Sequence, residues 1–447
     1  MDAPSTPDVE ASSGDGSTSS DGYTPRRVVV AYLMVSTLFT LASALIWPIN
    51  SIFLLREGGL TLLGVMVVNA VFTLGSMVFE VPTGVVADTV GRKASLLMGM
   101  FTLVVSTLLY VATPRWGIGI WGFIGASVIL GIGFTFQTGA LEAWLVDALD
   151  ATGWDSPKER VFAWGQMASG GGMLTGSLLG GLLAQVGLSM PYIVRAVLLT
   201  VAFVAVAVLM RDLGFQARSL RLATFGAETR RIFDAGVTFG WRSPVVRPLL
   251  WSSAAAGVFF MFAWYAWQPY ILELLARDYV WLLGVVTAAF SLAGIVGNSL
   301  VGRIMGNGAG RRDSWRVLAF CGWMYLALSV GIAAVGLSGV APGLAPAGIA
   351  IALWLTFGLV FGISGPVRMA YINTHIPSAQ RATVLSLDAF FADGGGAAGQ
   401  PALGWLSERA TIPIAWVTGA LFLVAPPLLY RASGKAAERA EKSSPTP

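Results

Sequence analysis

From residue 28 to residue 430 the chain is a succession of apolar stretches separated by short polar gaps. Each is about as long as a helix must be to cross a hydrocarbon core of roughly 30 Å. Twelve can be drawn: 28–55, 60–87, 94–112, 118–145, 161–186 and 191–210, then, after a longer polar segment, 249–275, 280–305, 317–337, 346–372, 382–406 and 412–430. An open sheet would leave backbone donors and acceptors unpaired in lipid, and no period-two alternation marks a barrel, so the stretches predict helices. The expected fold class is an all-α membrane protein with twelve transmembrane helices. Composition agrees, with 55% hydrophobic and 12% charged residues among 447 and a mean hydropathy of +0.72, outside the soluble range.

Basic residues fall in alternate gaps. One set holds Arg26, Arg27, Arg92, Lys93, Lys158, Arg160, the Arg residues of 211–247 and 303–316, Arg381 and the residues from Arg431 on; the other holds only Arg56, Arg115, Arg277 and Arg409. Short loops rich in Lys and Arg stay cytoplasmic, so both termini are expected in the cytoplasm of a multi-pass cell-membrane protein. The net charge of +4 follows from this loop bias and gives no reason to expect nucleic acid as a partner. Residues 1–26 are rich in Ser, Thr, Gly, Pro and Asp, lack the pattern of a signal peptide, and read as a disordered cytoplasmic tail. The single Cys321 has no intrachain partner for a disulfide.

The second half repeats the first at an offset of about 220 residues, a symmetry that membrane transport proteins show. Trp47-Pro48 corresponds to Gln268-Pro269, Arg56-Glu57 to Arg277-Asp278, Gly91-Arg92-Lys93 to Gly310-Arg311-Arg312, and Arg160 to Arg381. The predicted organisation is a six-helix bundle over 27–211, a cytoplasmic linker over 212–248, a second six-helix bundle over 249–431 and a cytoplasmic tail over 432–447. The linker carries Arg218, Arg221, Arg230, Arg231, Arg242 and Arg247, and within it 224–239 can form a helix lying at the membrane surface, where basic side chains meet anionic headgroups.

Between the second and third spans stands Gly84-Val-Val-Ala-Asp88-Thr-Val-Gly91-Arg92-Lys93. Gly84 permits close helix approach, Gly91 a tight turn, and Asp88 can face a helix N-terminus. The run resembles the loop motif GxxxDxxGR[RK] of the major facilitator superfamily. The resemblance implies two pseudo-symmetric six-helix bundles, usually monomeric, that expose a shared midplane site to each side in turn. It also implies that Asp88 and Arg92, with Asp147 as a partner, latch the halves together on the cytoplasmic side. In the fifth span, Gly172-Met-Leu-Thr-Gly176-Ser177-Leu-Leu-Gly180-Gly181 is similar to the antiporter motif of drug/proton exporters in that family, with Ser177 in place of its Pro. Glycines at this spacing also serve ordinary close packing. The exporters' Arg in the fourth span is here Phe134, three residues before Gln137.

Ionisable groups within a span cost about 2.5–3.5 kcal/mol each and mark functional candidates. They are Glu80, Glu142, Arg368, Asp388 and Asp393, any of which can serve proton coupling, or instead belong to structural ion pairs. By the resemblance, Glu142 and Arg368 lie on cavity-lining helices and face one another. Arg195, near the outer end of the sixth span, reads as a residue snorkelling to the interface. Trp264, Tyr265, Trp267 and Gln268 of the aromatic-rich seventh span, with Trp47, Asn50 and Gln137, are candidates to line a substrate cavity. No residues have metal-ligand spacing, no phosphate-binding Gly-x-x-x-x-Gly-Lys loop occurs, and the lone His375 has no nucleophile or base beside it in sequence. The expectation is a secondary active transporter without a cofactor, driven by protons and exporting small lipophilic molecules, with import of a metabolite on the same fold as the alternative.

Overall fold

The computed structural model describes residues 23–215, 240–306, 310–376 and 380–443. The expected surface helix at 224–239 lies outside the described residues. In the N-terminal half, α1 (Pro25–Ala44) and α2 (Asn50–Arg56) share the first span. They are followed by α3 (Leu62–Thr89), α4 (Arg92–Trp116), α5 (Ile120–Gln137) with α6 (Ala140–Ala151), α7 (Lys158–Leu183) and α8 (Met190–Leu209). The C-terminal half comprises α9 (Val246–Leu275), α10 (Val280–Met305), α11 (Gly310–Leu337), α12 (Leu344–His375) and α13 (Arg381–Arg409). Its last span is α14 (Ile412–Ala420), a 3-10 turn (Leu421–Val424) and α15 (Ala425–Ser443).

Among the described residues, ten helices are long and apolar enough to span a membrane. The fifth and eleventh spans of the sequence pattern, α7 and α13, are of full length but glycine-rich and less hydropathic. Their location explains this. The halves meet along α7 against α10 and α3 against α13, so each glycine-rich helix packs on a helix of its own half and on one of the other. Gly172, Gly176 and Gly180 of α7 lie against the backbone of α1 at Thr37, Leu41 and Leu45, where a Cβ has little or no room. Gly395 and Gly399 of α13 sit in the same way against α9 at Ala254 and Val258. Gly181 of α7 meets Gly284 of α10 across the halves. Without a hydrophobic drive between helices in lipid, such close backbone contact is what holds them.

The buried apolar residues form three clusters. The largest draws on both halves, with Ile49, Phe53 and Val65 packed into one core with Phe262, Tyr270 and Leu283. The other two belong to one half each, around Tyr32, Leu96, Trp144 and Met210, and around Leu249, Leu318, Tyr371 and Leu387. These separate cores lie at the end of the bundle that carries both termini, and the joint core lies towards the opposite end. The halves are therefore packed together at the opposite end and apart at the terminal end.

Candidate functional site

The seal at the opposite end is made by residues that the sequence repeat relates. The first span breaks between Ala44 and Asn50, around Pro48, and the Trp47 carbonyl left without a helical donor accepts from Gln268 Nε2 at 2.8 Å. Gln268 Oε1 in turn accepts from the Ser51 backbone N–H at 2.9 Å. Pro269 cannot donate to Tyr265, four residues earlier, and the Ser51 hydroxyl takes that carbonyl at 2.8 Å. Further out, Arg56 pairs with Asp278 at 2.6 Å, and the Leu63 N–H donates to Glu408. An outer depression lined by Ile52, Arg56, Leu272 and Asp278 lies above this seal.

Below it is a chamber of about 350 Å³ walled almost entirely by aromatics, including Trp47, Phe72, Phe134, Trp264, Tyr265 and Trp354. Two further spaces share its walls. One, of about 60 Å³, is bounded by Asn50, Asn69, Tyr110 and Arg195, with Trp47, Phe72, Phe134, Trp264 and Tyr265 in common with the chamber. The other, of about 230 Å³, reaches Ser253, Arg368, Asp388 and Tyr430 and shares Phe260, Met261 and Phe361. The cavity thus has an arginine at each end. Arg368 donates to both Asp388 oxygens at 2.6 and 2.7 Å, to Ser253 Oγ at 2.5 Å and to the Tyr430 hydroxyl at 3.2 Å. Arg195 is fully buried, and none of its three side-chain nitrogens has a hydrogen-bond partner among the described residues.

Comparison with known proteins identifies the architecture. A sequence model of the Major Facilitator Superfamily matches residues 32–400. The chain belongs to the major facilitator superfamily. Solved structures similar to it include the nucleoside transporter NupG, with a TM-score of 0.73, 11% identity and coverage of 91% of this chain and 98% of that one. A POT family transporter in complex with a thioalcohol-conjugated peptide has a TM-score of 0.70 at 13% identity, over 91% of this chain and 96% of the other. The D-xylose-proton symporter has 0.63 at 14% identity, over 90% and 97%. No curated protein matches the sequence. Identities this low speak for the fold, and the fold is that of a superfamily transporter.

The superfamily loop is formed as its residues suggest, but its bonds stay within one half. Gly91 adopts φ 132°, a turn open to glycine. Arg92 reaches Asp88 at 2.5 Å and Asp147 at 3.9 Å, while the Lys93 N–H donates to Asp212 at 2.8 Å and Lys93 Nζ to the Ala207 carbonyl. With the halves apart at the terminal end, these bonds form a clasp of α3, α4, α6 and the start of the linker, and no bond of the loop to the other half is made among the described residues in this conformation. Gly84 is exposed, and a Cβ there would meet nothing.

Other expectations are corrected too. Glu142 and Arg368 are not paired in this conformation: Thr138 is extended and Gly139 left-handed, φ 73°, so the helix breaks and Glu142 stands exposed in the first turn of α6. Gln137 turns away from the cavity and donates to the Leu96 carbonyl at 3.2 Å, holding α5 to α4 beside Gly99. Trp267 is buried behind the chamber, stacked on Trp354. Gln268 belongs to the seal rather than the wall. Arg195 does not snorkel. Glu80 and Asp393 lie on α3 and α13, the helices that meet across the halves, and are electrostatic neighbours. The residues that sequence reasoning missed are Arg195, Ser253 and Tyr430, and the aromatics Phe72, Phe134, Phe260, Trp354, Phe357 and Phe361. Only Arg195 carried a signal, as a charge six residues inside a span.

Proposed function

We propose that this superfamily member is a proton-coupled exporter of small lipophilic molecules, with the terminal end cytoplasmic. The aromatic chamber, sealed at one end and flanked by separate cores at the other, carries the reading: it offers apolar surface to a cargo entering from the cytoplasmic leaflet or cytosol. Release requires the seal at Gln268 to open and the terminal end to close, the rocking of two six-helix halves about a midplane site.

Coupling is assigned to carboxylates set where the halves move. Glu80 and Asp393 present like charges across the α3–α13 contact, and protonating either removes a repulsion that opposes closure. Asp388 is the second element, because neutralising it would release Arg368 towards the chamber. Glu142, outside the chamber, is given no part in this step.

Import with protons is the second reading, since a D-xylose-proton symporter shares the fold. Flux in oriented vesicles separates the two. Inverted vesicles with an acidified lumen should accumulate one or more of a panel of anionic, neutral and cationic fluorescent aromatic dyes. Asp393→Asn should abolish the gradient dependence while Glu142→Gln leaves it intact. Accumulation confined to right-side-out vesicles under an inward proton gradient would transfer the assignment to import.

A further inference from the structure

Arginine remains protonated in proteins, and a buried cation is stable only when its donors are met. Arg195 breaks that rule within its own half. The side chain is fully buried on α8, yet Nε, Nη1 and Nη2 have no hydrogen-bond partner among the described residues. Its one directed neighbour is the Phe134 ring, with 5.8 Å from the guanidinium carbon to the centroid, and a ring face offers far less than a hydrogen-bonded anion.

The polar groups around it bond to one another or to the backbone, and none bonds to its nitrogens. The Tyr110 hydroxyl is bonded to Ser127 Oγ at 2.6 Å, and the Tyr192 hydroxyl donates to Asn50 Oδ1 at 2.9 Å. Asn50 Nδ2 donates to Asn69 Oδ1 at 3.1 Å, and Asn69 Nδ2 to the Val65 carbonyl at 2.9 Å. The nearest carboxylates of the half's own spans, Glu80 and Glu142, belong to the terminal end. What Arg195 does border is the small space that has Trp47, Phe72, Phe134, Trp264 and Tyr265 as walls in common with the aromatic chamber.

We infer that Arg195 is an anion-binding residue, and that the cargo is an organic oxyanion whose acidic group meets this guanidinium while its apolar body lies among Trp47, Phe72, Phe134, Trp264 and Tyr265. The inference rests on the transport reading for the word cargo, and deepens it by naming a charge class. The geometry suits a planar carboxylate, which a guanidinium fork can engage with two parallel bonds. A fixed, desolvated positive charge also rejects organic cations, because like charges in a dry site repel strongly.

The test is binding to the full-length, detergent-solubilised protein by scintillation proximity with tritiated 1-naphthoate, competed by unlabelled 1-naphthoate, 1-naphthylmethanol and 1-naphthylmethylamine. The carboxylate should compete at least about tenfold better than the alcohol, and the amine worst, the ratio expected from one or two charge-assisted bonds. Arg195→Met should lose that preference while its thermal unfolding temperature equals or exceeds that of the native chain. Arg195→Lys should keep a weaker preference and shows that loss in the Met variant is not misfolding. Equal competition by all three compounds, no saturable naphthoate binding, or an unchanged preference in Arg195→Met would overturn the inference, as would a Met variant that unfolds at a markedly lower temperature and so reveals a structural cation. The readout needs neither flux nor a proton gradient. Arg195-dependent anion binding without export would leave this inference standing and remove the exporter, and proton-driven export of neutral dyes with no anion preference would do the reverse.

Discussion

In the C-terminal half the half-buried guanidinium of Arg368 has a bidentate carboxylate, a serine and a tyrosine around it, whereas in the N-terminal half the fully buried one of Arg195 has an aromatic face and no acceptor among the described residues. The sequence repeat produced both halves, so the difference is not a limit of the architecture. Asp388 comes from α13, which packs on α9 and can reach Arg368 on α12. Arg195 stands instead on α8, and the space that it borders is lined by no acid. The seal shows the same asymmetry. Arg56 pairs with Asp278, but their repeat partners do not pair: Arg277 donates to Tyr279 and Glu57 accepts from Ser189. The C-terminal half supplies acceptors for its cavity arginine and the N-terminal half leaves its own with an unmet donor set beside the cavity, which is the division expected when one arginine anchors and the other binds.

The sharpest way to break this comparison is to remove Asp388. An Asp388→Ala substitution strands Arg368 and should destabilise the solubilised protein by about 3–5 kcal/mol, read by thermal or denaturant unfolding, while Arg195→Met does not destabilise it. Equal losses from both would mean that Arg195 is as well satisfied as Arg368. Supplying the missing acid tests the converse. Asn69→Asp, in the space that Arg195 borders, should raise stability by about 1–3 kcal/mol through new charge-assisted bonds and eliminate naphthoate binding. Stability unchanged with binding intact would place the guanidinium out of reach.

Smaller effects belong to the seal. Gln268→Ala removes two buried hydrogen bonds and should weaken closure of the opposite end by about 1–3 kcal/mol, seen as faster alkylation of a cysteine placed at Asn50 by a reagent added from that side. Arg56→Ala breaks an exposed pair, with side-chain exposures of 43% and 68%. Its effect on the same labelling rate should be under about 1 kcal/mol and vanish in high salt.

Much of this was legible in the sequence. Span number follows from hydrocarbon thickness, and even the glycine-rich α7 and α13 stood out by length and by the short gaps around them. The repeat aligned Trp47-Pro48 with Gln268-Pro269 and Arg56-Glu57 with Arg277-Asp278, though not that Trp47 would bond to Gln268 and Arg56 to Asp278 across the seal. Orientation of side chains was the weak point. In a membrane bundle both the lipid face and the packed face are apolar, so periodicity does not mark the inward side of α8, and Arg195 read as an interfacial residue. The break at Gly139, which leaves Glu142 exposed at the start of α6, was not legible either, because a glycine among many in such a chain does not declare itself a hinge. The antiporter-like glycines are found against α1, in an arrangement repeated by α13 against α9, which is a packing role whatever the cargo.

The central claim is that the two halves rock as units, so that opening one end closes the other. Double electron–electron resonance on a Cys321→Ser background measures this directly, with one spin-label pair at Val90 and Ile304, exposed at the terminal end, and a second at Ile118 and Val340, exposed at the opposite end. Introducing Gln268→Ala together with Arg56→Ala should lengthen the Ile118–Val340 distance and shorten the Val90–Ile304 distance in the same population of molecules. An opposite end that opens while the terminal end stays as it is would contradict the account.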